Sequence, residues 1–499
     1  MHQIIGVLHV SRETPGEASQ SRQQRHDLFA KIVNQCRHRV NSSVAKVACS
    51  LLIITAPAAH AQIAVPGVRL PTLPQPQLPG VQDTLSATVG QVDPAVLKDV
   101  RRLHLRELVR RNRATLDVDP NGAPIVRGEV LVVSPSDAEL DAALAAGFTV
   151  VRVRVLDGLD ARILVLAPPK GLNTQRAMVR LREVLPSASL DFNHIYTDSG
   201  VSRADDNNLV SSAAEPPPPS TDSPEVPSST AASSSPPSGS SPTSSARLGL
   251  IDGGIDTGHA VFKNVPIHQH GCSGSPVPSP HGTEIASLLI GQSAEFHGAA
   301  PGAELYAADV FCGLPTGGAA DAVADAFAWM ARERIAVINV SLVGPPNASL
   351  ETVVRLVVAR GHIIVAAVGN DGPAAPPLYP ASYPGVVGVT GVDTRHRVLV
   401  EACRGPQVKF AAPGADMSAA KSSQTFDLVR GTSYAAPLVA GLLAVTLHQP
   451  DKEAATQAID ALAHQALDLG ARGVDTTYGY GLVAGDLAPQ PRLAGSHAH

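Results

Sequence analysis

Arg247-Leu248-Gly249-Leu250-Ile251-Asp252-Gly253-Gly254 is the stretch on which the fold turns. Its apolar residues read as a short buried strand, and the strand stops at an acid followed by two glycines. From there to about residue 487, short apolar runs alternate with helical stretches. That alternation predicts a doubly wound parallel sheet with helices on both faces. Ligands bind such sheets beyond the carboxyl ends of the strands, so Asp252 stands where chemistry is expected. Taken alone, an Asp at a strand end is more often a turn or cap residue.

Three further segments change that balance. His281-Gly282-Thr283 opens an apolar helix, far enough after Asp252 for a strand, a helix and a return. Gly431-Thr432-Ser433-Tyr434-Ala435-Ala436-Pro437 precedes an apolar helix expected over 438–447. Ser433 therefore sits at the positive end of a helix dipole, where developing negative charge is favoured. Val368-Gly369-Asn370-Asp371-Gly372 ends another apolar strand, and an Asn amide there can donate to an oxyanion. Singly these read as an exposed His, an N-cap Ser and a turn Asn. Jointly, in the order Asp, His, Ser, they follow one of the three known chain orders of the serine-peptidase triad.

With these motifs the chain resembles the subtilisin-like serine peptidases over 247–487. Gly298-Ala299-Ala300-Pro301-Gly302, Val340-Ser341-Leu342-Val343-Gly344, Phe410-Ala411-Ala412-Pro413-Gly414 and Tyr478-Gly479-Tyr480-Gly481 match further family segments. The resemblance implies a serine endopeptidase acting on polypeptides through an acyl-enzyme. Asp252, His281 and Ser433 would be catalytic, Asn370 would complete the oxyanion hole, and Ser341, Leu342, Val343 and Gly344 would bind substrate as an added strand. Two other functions stay open: a non-catalytic peptide-binding module on the same fold, and a maturation peptidase dedicated to one substrate. Gly253 replaces the Ser or Thr usual after the catalytic Asp, so a hydroxyl bond to that carboxylate is lost. Tyr434 replaces a common Met, and Val343 a common Gly. On the same resemblance, Asp371 beside Asn370 would favour basic residues at the pocket rim, and Leu378 would shorten the pocket. The segment from His281 to Gly298 lacks the family's Asn-rich calcium loop, so no metal and no cofactor are expected.

Upstream, residues 127–196 show the order β-α-β-β-α-β of a small ferredoxin-like α+β unit. Helices are expected over 137–146, capped near Asp137, and over 173–184, capped by Asn173. Subtilisin-like enzymes often carry such a unit as a propeptide, which predicts an autoprocessed proenzyme with an intramolecular inhibitor. Its end at Asn193-His194-Ile195-Tyr196 would occupy the active site. Residues 197–246, nearly all Ser, Pro, Thr and Ala beyond 209, read as a disordered linker. Residues 62–126 read as a Pro-rich spacer followed by a basic helix at 95–114, either touching an anionic membrane surface or packing on the next domain. Residues 488–499 form a tail.

Residues 1–61 read as an export signal with a long polar leader: basic Arg37, Arg39 and Lys46, an apolar run at 47–55, then Ala59-His60-Ala61. The leader's length suggests that translation starts nearer residue 40. The apolar run is too short to cross a bilayer, so a periplasmic or secreted product without a membrane span is expected, as a monomer. A net charge of −5 and 17 % charged residues exclude a nucleic-acid binder. Of five cysteines, Cys36 and Cys49 leave with the signal. Cys272 pairs with Cys312 on chain order, or all three remaining thiols are buried and free.

Overall fold

Residues 247–487 are expected to form a parallel sheet, and in a computed structural model of the chain they do, with the α+β unit laid against it. The structure describes residues 94–199, 201–202, 246–294, 296–421 and 424–487, with side chains from 101. All belong to the unit Pro79–His499. The signal, the spacer up to residue 93, the linker over 203–245 and the tail lie outside the described residues.

The N-terminal part runs α1 (Pro94–Arg111), β1 (Leu116–Val118), β2 (Pro124–Val133), α2 (Asp137–Ala145), β3 (Thr149–Leu156), β4 (Ala161–Ala167), α3 (Thr174–Val184), β5 (Ser189–Asp198) and β6 (Val201–Ser202). Strands β5, β2, β4 and β3 pair antiparallel in that order, the ferredoxin-like arrangement. Ser136, one residue before the expected cap, closes a capping box with Glu139. Asn173 caps α3. Strand periodicity sends side chains to both faces of this sheet. Val130 and Val132 pack with Phe148, Met178 and Leu181 beneath α2 and α3. Leu131 and Val133 face the other way, into a core shared with Phe327 and Val353 of the larger part.

That larger part comprises β7 (Arg247–Asp252), β8 (Ile267–Gly271), α4 (Pro280–Ile290), β9 (Glu304–Asp309), β10 (Gly318–Ala319), α5 (Ala320–Arg332), β11 (Val337–Val340), β12 (Leu342–Val343), α6 (Ala348–Ala359) and β13 (Ile363–Ala367). It continues through β14 (Val387–Val392), β15 (Val408–Pro413), β16 (Ala415–Lys421), β17 (Thr425–Arg430), α7 (Thr432–Ala444) and α8 (Lys452–Gln465). The main sheet has the order β15-β14-β13-β11-β7-β9-β8, every pairing parallel. Central strands such as Ile363–Ala367 are buried throughout, which is why they read as unbroken apolar runs. Helices α4 and α7 share one core with the sheet, and α5 and α6 the other. Among the described residues, no helix is long and apolar enough to cross a membrane.

The boundaries move in three places. The α+β unit starts at Leu116, inside the expected spacer, and β5 runs to Asp198, inside the expected linker. Strand β5 is prolonged because two distant edges pair with it: Gly318 and Ala319 with Tyr196 and Ile195, Leu342 and Val343 with Asp198 and Thr197. Each edge is only two residues long; Gly318 and Ala319 signal nothing in the sequence, whereas Leu342 and Val343 lie in the segment expected to pair with an added strand. Helix α7 starts at Thr432, before Ser433, and carries Pro437 inside it.

A charged knot also joins the two parts. Asp321 on α5, 1 % exposed, takes Arg152 Nε at 2.8 Å and Arg154 Nε at 3.1 Å, while Arg152 also holds Glu129. Burial raises the Asp321 pKa, but these partners and Asn193 outweigh it and hold the carboxyl below its usual range.

Cys272 and Cys312 form the disulfide, and Cys403 is buried and free. The two half-cystines follow the ends of the neighbouring strands β8 and β9, where Gly271 pairs with Asp309. Cys312→Ser is expected to cost ~2–4 kcal/mol through the loop that the bond closes. An unchanged urea midpoint would show that the bond carries no such constraint.

Candidate active site

Asp252 ends β7, with β9 and β11 on either side. It is fully buried and accepts from Gly253 N at 2.7 Å. A side chain at Gly253 has no room: its Cβ would collide with Ser279. Ser279 is the N-cap of α4 and accepts from Gly282 N at 3.0 Å. The hydroxyl missing at 253 has thus given its space to the residue that starts the histidine helix. His281 is in the first turn of α4, and its Nδ1 lies 2.9 Å and 3.0 Å from the two Asp252 oxygens. Its Nε2 is buried and has no hydrogen-bond partner among the described residues.

Ser433 lies in the first turn of α7, fully buried. Pro437 lacks the N–H that would bond the Ser433 carbonyl in a regular helix. That carbonyl accepts instead from Ser341 Oγ at 2.9 Å, and Asn339 Nδ2 donates to Ser341 Oγ at 3.0 Å. The Ser341 hydroxyl is therefore turned toward the backbone of Ser433. Thr432 ties the Asn370 loop to the same turn. Its N–H donates to Asn370 Oδ1 at 3.1 Å and its Oγ1 accepts from Gly369 N at 3.1 Å. With Oδ1 engaged there, the amide nitrogen of Asn370 remains to donate.

Of the four expected strand residues, Leu342 and Val343 pair with Asp198 and Thr197. The Ser341 carbonyl faces Ser199 Oγ at 3.4 Å. Gly344 differs, because both its N–H and its carbonyl are taken by Tyr379. Its contribution is the absent side chain: a Cβ there would enter the ring of Tyr196. Tyr196 is fully buried and donates to Pro345 O at 2.9 Å. The chain end thus lies between β10 and β12, three residues further along than expected, and brings Ser199 Oγ to 2.5 Å from Ser433 Oγ.

Sequence reading missed Glu284. One turn after His281, it accepts from Tyr434 Oη at 2.8 Å, and the Tyr434 ring lies against the imidazole at 5.7 Å. The i, i+3 spacing of His281 and Glu284 on one helix was the available signal. Burial lowers the His281 pKa, but Asp252, then Asp198 and Glu284, outweigh it and hold the imidazole up at about 9.

Residues 243–481 match the model of the subtilase family. Subtilisin BL of Lederbergia lenta is 30 % identical over 256 residues, 49 % of this chain and 91 % of that protein. The chain belongs to the subtilase family. Subtilisin E of Bacillus subtilis (strain 168) is 31 % identical to this subtilase over 50 % of the chain and 66 % of its own length. Minor extracellular protease Epr, from the same organism, is 29 % identical over 41 % of the chain, which spans only 32 % of that protein. The fold is similar to that of fervidolysin from Fervidobacterium pennivorans, a keratinolytic enzyme related to subtilisin. The TM-score is 0.56 at 20 % identity, covering 75 % of this subtilase and 63 % of that chain.

Proposed function

We infer that this protein is an exported serine endopeptidase made as a self-cleaving proenzyme. The observation that carries the reading is the strand 195–199, laid between β10 and β12 as a substrate would be, with Ser199 on Ser433. Ser433 Oγ attacks the Ser199 carbonyl, and His281 Nε2 takes the hydroxyl proton. Asp252 holds the proton on Nδ1 and stabilises the imidazolium. Asn370 and the Ser433 N–H donate to the tetrahedral oxyanion. As the bond to Gly200 breaks, His281 passes its proton to the leaving amine. Water then hydrolyses the acyl-enzyme with His281 again as base. The unit 116–199 remains as a product inhibitor, and free polypeptides follow the same path once it leaves.

In the closed state the Ser199 hydroxyl, not the imidazole, is the partner of Ser433. The test is a fluorophosphonate probe on the purified protein, with N-terminal sequencing of the product. Labelling of Ser433 and a new terminus at Gly200 are expected. An intact chain that no probe labels would leave a peptide-binding module as the better reading.

The acid limb of self-cleavage adds a second check. A base with a raised pKa is fully available only above it, so cutting is expected to accelerate as pH rises toward about 9. Asp198→Asn removes one carboxylate that favours the imidazolium. It should move that limb to lower pH, and an unmoved limb would remove Asp198 from the account.

A further inference from the structure

Helix α4 carries two buried titratable groups one turn apart, and the triad uses one of them, His281. The other, Glu284, is 1 % exposed. A carboxylate in such a place is costly unless donors hold it. Tyr434 Oη reaches across from α7 and donates to Glu284 Oε2 at 2.8 Å. Tyr434 stands where many subtilases have Met, and a methionine has no proton to give a carboxylate.

The tie closes a four-cornered brace. Ser433 and Tyr434 are neighbours on α7, His281 and Glu284 lie one turn apart on α4, and the Tyr434 ring meets the imidazole at 5.7 Å. His281 is thus held at Nδ1 by Asp252 and on its ring by Tyr434. Burial drives the Tyr434 pKa well up, with Glu284, Asp198 and Asp252 adding to it, so the phenol stays a donor. Among the described residues, the titratable groups around the imidazole are Asp252 on β7, Asp198 on β5, Glu284 on α4 and Tyr434 on α7. Strand β16, bonded to α4 through Ala420 N and Ser287 Oγ, carries Lys421, whose ammonium is taken by Asp427. Asp198 belongs to the unit that self-cleavage would release. With that unit gone, Glu284 is the second carboxylate left beside the imidazole.

We propose that Glu284 and Tyr434 are positioning residues of the released enzyme: the phenol holds the carboxylate ionised one turn from His281, and its charge favours the imidazolium that forms as Ser433 gives up its proton. The proposal rests on the peptidase reading. Neither residue exchanges a proton with the substrate; both act through His281.

The test follows fluorophosphonate labelling of Ser433 against pH in the self-processed protein, native, Glu284→Gln and Tyr434→Phe. Removing a charge that favours the imidazolium lowers the pKa of the base. The acid limb should therefore move to lower pH, by about one pH unit in Glu284→Gln. Its plateau should fall, because a weaker base accepts the proton less readily. Tyr434→Phe keeps the ring and should move the limb the same way, and the double variant no further than Glu284→Gln alone. A merely structural pair would lower the plateau and leave the limb in place. A limb unmoved in both variants overturns this inference alone, since labelling itself shows a working nucleophile. If a variant stays uncut, the His281 Nδ1–H resonance, followed against pH in the full chain with Ser433→Ala, reads the same shift, and an unmoved titration is equally fatal. Loss of the fold in both variants would make the tie structural and overturn the inference too. No labelling of the native protein overturns the peptidase reading and this inference with it.

Discussion

Ser433→Ala is expected to yield a full-length chain that stays uncut, takes no fluorophosphonate and hydrolyses peptides about 10⁶-fold more slowly, the loss measured for the subtilisin triad. The residue cannot be replaced by a neighbour. Its hydroxyl stands in the first turn of α7, and three separate devices hold that turn: the Ser341 bond to its carbonyl, the Thr432 tie to Asn370 and the Tyr434 tie to Glu284. Alanine keeps all three, since each runs through backbone or through another side chain. The variant should therefore fold and melt like the native chain while losing both reactions. Cleavage after Ser199 in the variant, checked by mass spectrometry, would assign the cut to a contaminating peptidase.

Tyr196→Ala should weaken the hold of the α+β unit on the larger part by about 3–5 kcal/mol, about two to three and a half orders of magnitude in an inhibition constant. The ring is fully buried, and two glycines make room for it. A Cβ at Gly344 would strike the ring, and one at Gly317, which also has φ +90°, would strike the Tyr196 carbonyl. The phenol stays neutral, its pKa driven up first by burial, and donates to Pro345 O. Titrating the processed enzyme with the cleaved unit, native or Tyr196→Ala, measures the difference. Equal inhibition would move the anchor elsewhere, with the Arg152–Asp321 knot as the next place to look.

The main sheet was legible because strands buried on both faces must be apolar throughout, as Val337–Val340 and Ile363–Ala367 are. The α+β order was legible from alternation and caps, Asn173 among them. The residues now found around Ser433 were legible as motifs because each ends a strand or opens a helix. What escaped notice was cooperative. Strand β10, Gly318 and Ala319, has only two residues and is a strand through its pairing with Tyr196 and Ile195 of β5. The inward turn of the Ser341 hydroxyl depends on a proline nearly a hundred positions away. Arg101 looked like one of several solvated cations, and its approach to Asp371, Thr197 and the Val343 carbonyl sets it apart.

The short strand β6 has a consequence for timing. Val201 and Ser202 pair with Arg430 and Val429, just ahead of Ser433, while 195–198 pair with β10 and β12. Both sides of the bond after Ser199 are thus clamped. On the proposed self-cleavage, a cut there would not separate its ends: the new amine would stay beside the acyl group at the high effective molarity of an intramolecular reactant. Resealing would then compete with hydrolysis, and scission would be reversible for as long as both pairings last. The moment of activation would be set by which clamp opens first, so that a chain could be nicked long before it is free.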